Sequence, residues 1–206
     1  MSFPPPPVHI AVEGITDQAV IARVLHYIGL TPGLMRGLRG KAYLLQQLSK
    51  YNAAARFANW FAVVDLDQDA DCAPDYIRQI LPKQSEGMLL RIPVRAIEAW
   101  LMADRERLAA FLNISIDHVP QNPDLESNPK TAFVNLARRC RQTALREDIV
   151  PRPGSGAQVG PGYAGRIQEF VSQSPHRWRP EIAAENSDSL KRCINALQNW
   201  KLIEPS

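Results

Sequence analysis

Cysteine is scarce and poorly spaced for either structure or metal. Cys72, Cys140 and Cys193 are odd in number and lie far apart, with no CxxC pair. Neither a disulfide framework nor a zinc finger is indicated, and reduced thiols in a cytoplasmic protein follow. His9, His26, His118 and His176 show no metal-ligand spacing. No apolar run approaches the roughly 18 residues of a membrane span, so a membrane partner is not expected. Residues 1–7 hold four prolines without a basic n-region or an apolar stretch. They read as a disordered or polyproline lead rather than a signal peptide. A strong excess of one charge is missing too. Lys and Arg number 24 against 21 Asp and Glu, a net charge of +3, which permits a nucleic-acid partner without demanding one. There is no internal repeat, and Gly40-Lys41 lacks the surroundings of a Walker lysine.

What the chain does have is alternation. Val8 to Val12 reads as a strand that stops at Glu13-Gly14, and a helix with Val20, Ile21, Val24, Leu25 and Ile28 follows, capped by Thr16. Leu34 to Gly40 reads as a loop or weak strand, and Leu44, Leu48, Tyr51 and Ala55 mark a second amphipathic helix. Trp60 to Val64 is continuously apolar, as a parallel strand covered on both faces is. A short helix from Pro74, a strand over Met88–Val94 and a long helix over Ile97–Leu112 complete the pattern. Such alternation predicts an α/β fold with a mostly parallel sheet flanked by helices over 8–115. The remainder, 116–206, reads as a mainly helical extension interrupted by a Gly/Pro-rich loop at 151–165.

Two acidic positions fall where strands end. Glu13 sits in Val12-Glu13-Gly14-Ile15-Thr16-Asp17, its glycine expected to allow a sharp turn. Asp65-Leu66-Asp67 follows the most apolar strand, and residues i and i+2 of a strand point the same way. Each alone has an ordinary reading, Glu13 as a solvated loop acid and the pair as a turn or helix cap. Together they place three carboxylates on one sheet edge, where a cation or a shared proton must offset their repulsion. Hard oxygen ligands suit Mg²⁺ or Mn²⁺. Asp69 extends the acidic run, with capping of the next helix alongside Asp71 as its other role. An EF-hand is excluded because Ala70 and Tyr76 stand where glycine and glutamate belong. Glu98, after a strand and opening a helix, is either a further ligand or a salt-bridge partner of Arg95 or Arg91.

Several basic residues are placed to meet phosphate: Arg39 and Lys41 beside Arg36 in a Gly-rich loop, and Arg91 and Arg95 flanking the last strand. Arg138, Arg139, Arg141 and Arg146 charge one helix, most simply as a solvated face. Arg177-Trp178-Arg179 mixes an aromatic with cations, as single-strand binders do, although a Trp packed on its own domain explains it equally. Gly160-Pro161-Gly162-Tyr163-Ala164-Gly165 matches G-x-G-x-x-G without the preceding strand that dinucleotide binding needs.

Val12-Glu13-Gly14-x-Thr16-Asp17 with Val63-Val64-Asp65-Leu66-Asp67 resembles the two signatures of the Toprim domain of primases, topoisomerases, recombination proteins, RNA maturases and OLD-family nucleases. Arg91 to Asp104 is similar to a stretch of small Toprim-like bacterial proteins, some suspected of roles in phage defence. The resemblance covers about residues 8–105. It implies a Toprim-like fold, catalysis by Glu13, Asp65 and Asp67, and a divalent metal on those three acids, with Asp69 and Glu98 as additional candidates. The implied activity is metal-dependent phosphodiester chemistry on DNA or RNA. The expectation is a small nuclease or RNA-processing enzyme rather than a topoisomerase or primase, whose accompanying domains are not seen in these residues. The alternative is a non-catalytic binding or regulatory module with a protein partner, and self-association is compatible with both. A receiver-like phospho-acceptor role for Asp65 is disfavoured, because no lysine follows a later strand.

Overall fold

The computed structural model describes residues 5–204; of the proline-rich lead, residues 1–4 lie outside the described part. The chain divides into two compact units, Met1–Val94 together with Lys191–Ser206, and Arg95–Leu190. The division therefore falls earlier than position 115, and the last residues belong with the first unit. Among the described residues no helix is long and apolar enough to cross a membrane.

The first unit is a four-stranded, all-parallel, Rossmann-like sheet. Its strands are β1 (Val8–Val12), β2 (Pro32–Gly37), β3 (Asn59–Val63) and β4 (Met88–Arg91), in the order β2-β1-β3-β4. Helices α1 (Ile15–Tyr27), α2 (Lys41–Ala54) and α3 (Ala73–Ile80) connect them. Every residue of β3 is buried, as expected of a strand covered on both faces. Trp60, Ala62, Val64, Met88, Leu90 and Ile92 face one side at the period of two and pack with Leu44 and Leu48 of α2 and Tyr76 of α3. On α1, Val20, Ile21, Val24 and Leu25 form the buried stripe, and the helix packs on β1. The buried Asn59 amide binds the C-terminal segment, donating to the Ile203 carbonyl at 2.8 Å and accepting its N–H at 2.9 Å. This amide supplies the pairing that a neighbouring strand would otherwise give.

The second unit is helical. The helix expected over 97–112 is two, α4 (Ile97–Ala103) and α5 (Arg105–Leu112). The break is Asp104, whose carboxylate leaves the helical path to accept the Arg107 N–H and to bind Arg179. Likewise the helix expected from Lys130 to Leu145 is two, α6 (Pro129–Arg138) and α7 (Thr143–Ile149). α8 (Tyr163–Gln168) runs into a π turn over Glu169–Gln173, and α9 (Pro180–Asn186) follows. α10 (Asp188–Gln198) opens in this unit, with Ser187 Oγ accepting the Leu190 N–H. Trp178 is wholly buried, its indole donating to the Trp100 carbonyl at 3.1 Å, so it packs on its own unit. The glycine-rich match at 160–165 has a structural cause. A Cβ on Gly160 would collide with the Asp148 carbonyl at the end of α7, so glycine is required by close backbone approach.

Candidate functional site

The strand order reverses between β1 and β3. From β1 the chain steps outward to β2, then returns past β1 to lay down β3 and β4. In open α/β sheets the crevice beyond the carboxyl ends of such a pair is where ligands bind. Glu13 directly follows β1, and Asp65 lies two residues past β3.

Glu13 Oε1 accepts the Asp65 N–H at 2.9 Å, bridging the two strand ends. Gly14 does not make the sharp turn expected of it. Its backbone is extended (φ −145°, ψ 176°), and a Cβ there would make only ordinary contact with Asp17. It is Gly14, not Thr16, that caps α1, and Asp17 Oδ2 accepts the Gly14 N–H at 2.7 Å. The steric demand for glycine falls on the neighbouring strand instead. Gly37 has φ 90°, and a Cβ would strike the Val12 carbonyl.

The DxD pair is not held as strand alternation would hold it. β3 ends at Val63, and Asp67 has a left-handed backbone with φ 48°. What gathers the acids is Lys41. Its ammonium donates to the Asp65 carbonyl at 2.5 Å and to Asp67 Oδ2 at 2.9 Å, and pairs with Asp69 Oδ2 at 2.7 Å. It also lies 5.3 Å from the centre of the Tyr76 ring. The Tyr76 hydroxyl donates to Asp69 Oδ2 at 2.9 Å. Lys41 is the first residue of α2, where the helix dipole disfavours a cation. It is held there because Gly40, at φ 84°, starts the helix with its N–H on the Glu13 carbonyl.

The electrostatics follow this arrangement. Burial alone would push the Lys41 ammonium down, but its hydrogen bonds to Asp69 and Asp67 carry it well above the ordinary lysine range. Hydrogen bonds from Lys41 and then Tyr76 hold the Asp69 carboxyl below its usual range. Burial, then the hydrogen bond to Asp69, pushes the Tyr76 phenol up to about 12. Asp69 is thus a partner of Lys41 and Tyr76 rather than a helix cap, since the capping position of α3 is Cys72 and no side chain caps it.

Among the described residues no three His, Cys, Asp or Glu side chains are grouped so as to hold a metal ion. The cation among these acids is an ammonium. The donor set nevertheless has the chemistry for Mg²⁺ or Mn²⁺, since it consists of hard carboxylate and carbonyl oxygens. The ammonium marks where positive charge is accommodated.

The remaining candidates lie elsewhere. Arg39 is exposed and stacks over Tyr43 at 5.2 Å. Arg91 donates to the Leu90 carbonyl, and its charge lies by the buried Cys193 thiol. Arg95 and Glu98 belong to the second unit. Glu98 is almost wholly buried there, with Oε1 accepting from the Tyr163 hydroxyl at 2.8 Å and 3.7 Å from Lys130 Nζ. Its Oε2 has no hydrogen-bond partner. The residue that sequence reasoning passed over is Tyr76. Its signal was an aromatic with a hydroxyl on the buried face of a short helix just after the acidic run, where the hydroxyl needs a polar partner. No protein-family model, curated protein or solved structure matches this chain.

Proposed function

We propose that the crevice between the ends of β1 and β3 processes phosphodiesters of nucleic acid with the help of Mg²⁺ or Mn²⁺. The supporting observation is that one ammonium joins the Asp67 and Asp69 carboxylates and the Asp65 carbonyl, while Glu13 binds the Asp65 N–H, at the point where the strand order reverses. Glu13, Asp65 and Asp67 would hold the divalent ion, with Asp69 at the margin. The ion would contribute charge stabilisation on a phosphoryl oxygen and an acidified water. Lys41 acts as the resident counter-ion of the acids. When it gives way to a divalent ion, its ammonium is left to neutralise a substrate phosphate, the role already expected of it. Tyr76 keeps Asp69 ionised and oriented. A cytoplasmic setting is part of this reading, supported by three cysteines that form no pair.

Calorimetry with Mg²⁺ and Mn²⁺ on the wild-type chain and on Asp65→Asn, beside a cleavage panel of single- and double-stranded DNA and RNA, tests the reading. Metal binding and metal-stimulated cleavage that both disappear in Asp65→Asn support it. Absence of both in the wild type leaves Lys41 as the permanent partner of the acids. The crevice is then a self-neutralised structural edge, as in a binding or regulatory module acting through a protein partner.

A further inference from the structure

Within the second unit, two adjoining open recesses of about 300 and 510 Å³ share His118 and Arg139 as a common wall. The first also carries Asn113 and Arg141, the second Asn135 and Arg138. All three arginines are exposed, and none forms an ion pair among the described residues. Arg146, the fourth cation of this segment, is engaged locally, donating to the Cys140 carbonyl at 2.8 Å. Asp117, which precedes His118 in the chain, accepts a hydrogen bond from Ser115 Oγ at 3.0 Å.

Arg138 and Arg139 end α6, where cations suit the helix dipole, but this does not account for Arg141 or for the walls. The turn that carries His118 is fixed from behind. Arg105 donates to the Ile116 carbonyl at 3.2 Å and to the Val119 carbonyl at 3.0 Å. The opposite wall is the tight end of α6, closed by the Arg139 N–H to Leu136 and the Cys140 N–H to Ala137. The result is a preformed, polar, doubly recessed surface with three uncompensated guanidinium groups. Guanidinium is the side chain best suited to phosphate oxygens.

We propose that these recesses bind successive phosphates of a single-stranded nucleic acid, with the Asn113 and Asn135 amides available to sugar or base. Two recesses sharing one wall suit a repeating polyanion better than an isolated anion. The proposal deepens the phosphodiester reading by naming a surface that holds its substrate, but it is a binding claim and stands apart from cleavage.

The test is fluorescence anisotropy of labelled 20-residue oligothymidylate and oligouridylate with the full chain in EDTA, over a salt series. The variants are Arg138→Gln/Arg139→Gln/Arg141→Gln and a charge-matched control, Lys50→Gln/Arg56→Gln/Lys83→Gln, taken from exposed cations of the other unit. The recess variant should lose about 10-fold or more in affinity, and its salt slope should fall by about 2, roughly 0.7 for each phosphate contact on a single strand. The control should lose less than about 2-fold, and both variants should melt as the wild type does. Equal loss in the two variants overturns the proposal. So does failure of the wild type to bind either oligomer at low salt, or binding only to phosphatidylserine vesicles through the same arginines. Binding retained alongside an absence of cleavage leaves this surface intact and removes only the proposed chemistry.

Discussion

Two ion networks, one from each unit, are built on opposite principles. In the second unit Asp104 is wholly buried, and it accepts the Arg179 N–H at 2.9 Å, Arg179 Nε at 3.0 Å and Arg179 Nη2 at 2.7 Å. That geometry is a fork on a carboxylate, specific and saturated. In the first unit Lys41 is a point charge shared between the Asp67 and Asp69 carboxylates and the Asp65 backbone carbonyl, and the Asp67 and Asp69 side chains are about half exposed. A saturated buried pair fixes a fold and offers a ligand nothing. A single ammonium among several half-exposed acids is a charge arrangement that another cation can enter. The Lys41 network also breaks local rules, with a cation at a helix N-terminus and a left-handed aspartate. Such violations are expected where function competes with stability.

The comparison breaks most visibly at Asp104. Asp104→Ala leaves the Arg179 guanidinium and backbone N–H without their acceptor, which for a buried pair costs about 3–5 kcal/mol. The lower end applies because Arg179 is a quarter exposed. Urea denaturation should show the loss; a change below about 1 kcal/mol would mean that the pair is not structural. Lys41→Gln should behave the other way. Its pairs lie near the surface and each contributes at most about 1 kcal/mol, so melting should move little. Removing the resident cation should tighten Mg²⁺ and Mn²⁺ binding by about 10-fold, while any cleavage falls because substrate phosphate loses its partner. A Lys41→Gln chain that melts far below wild type and binds no metal would place this network in the same class as Asp104–Arg179.

Protonation sharpens the contrast further. An unfolded tyrosine ionises near 10, whereas Tyr76 holds its proton up to about 12. Its contribution to stability is complete below about pH 10 and is lost as pH rises toward 12. Asp69 runs in the opposite sense. Its lowered carboxyl adds stability above the ordinary aspartate range, and that stability disappears as the solution is acidified through its depressed folded-state value. Unfolding followed between pH 9 and 12 should therefore show a decline that Tyr76→Phe makes shallower, the remainder belonging to the Tyr51 phenol and the Cys193 thiol, which burial also raises. An unchanged alkaline limb in that variant would show that the hydroxyl does not serve Asp69.

The parts of this molecule that could be read from the sequence are those set by local pattern. Trp60–Val64 announced a buried strand because all its residues are apolar, and the alternation of strands and helices required a parallel sheet. Glu13 and Asp65 could be placed on one edge because both follow apolar runs. What could not be read was long-range pairing. Asp104 looked like one more residue of a long helix, since nothing local shows that Arg179 lies against it. Asp67 was assigned strand geometry, because its left-handed turn depends on an ammonium contributed by a segment 26 residues away. The cation demanded by the acids was legible as a need. That Lys41 meets it depends on where α2 begins, which a glycine of positive φ decides.

The smallest effect concerns the thiols, which report on the units separately. Cys72 is exposed at the start of α3, while Cys140 in the second unit and Cys193 in the first are buried. Burial pushes the Cys193 thiol up to about 12, so at neutral pH it carries almost no thiolate, the reactive form. A disulfide reagent should modify one thiol quickly, and Cys72→Ser should abolish that phase. The two slow thiols then follow the opening of their own units. If Asp104→Ala loosens only the second unit, Cys140 should quicken while Cys193 does not. Equal acceleration of both would mean that the two units unfold together, and that the Asp104–Arg179 pair supports the whole chain.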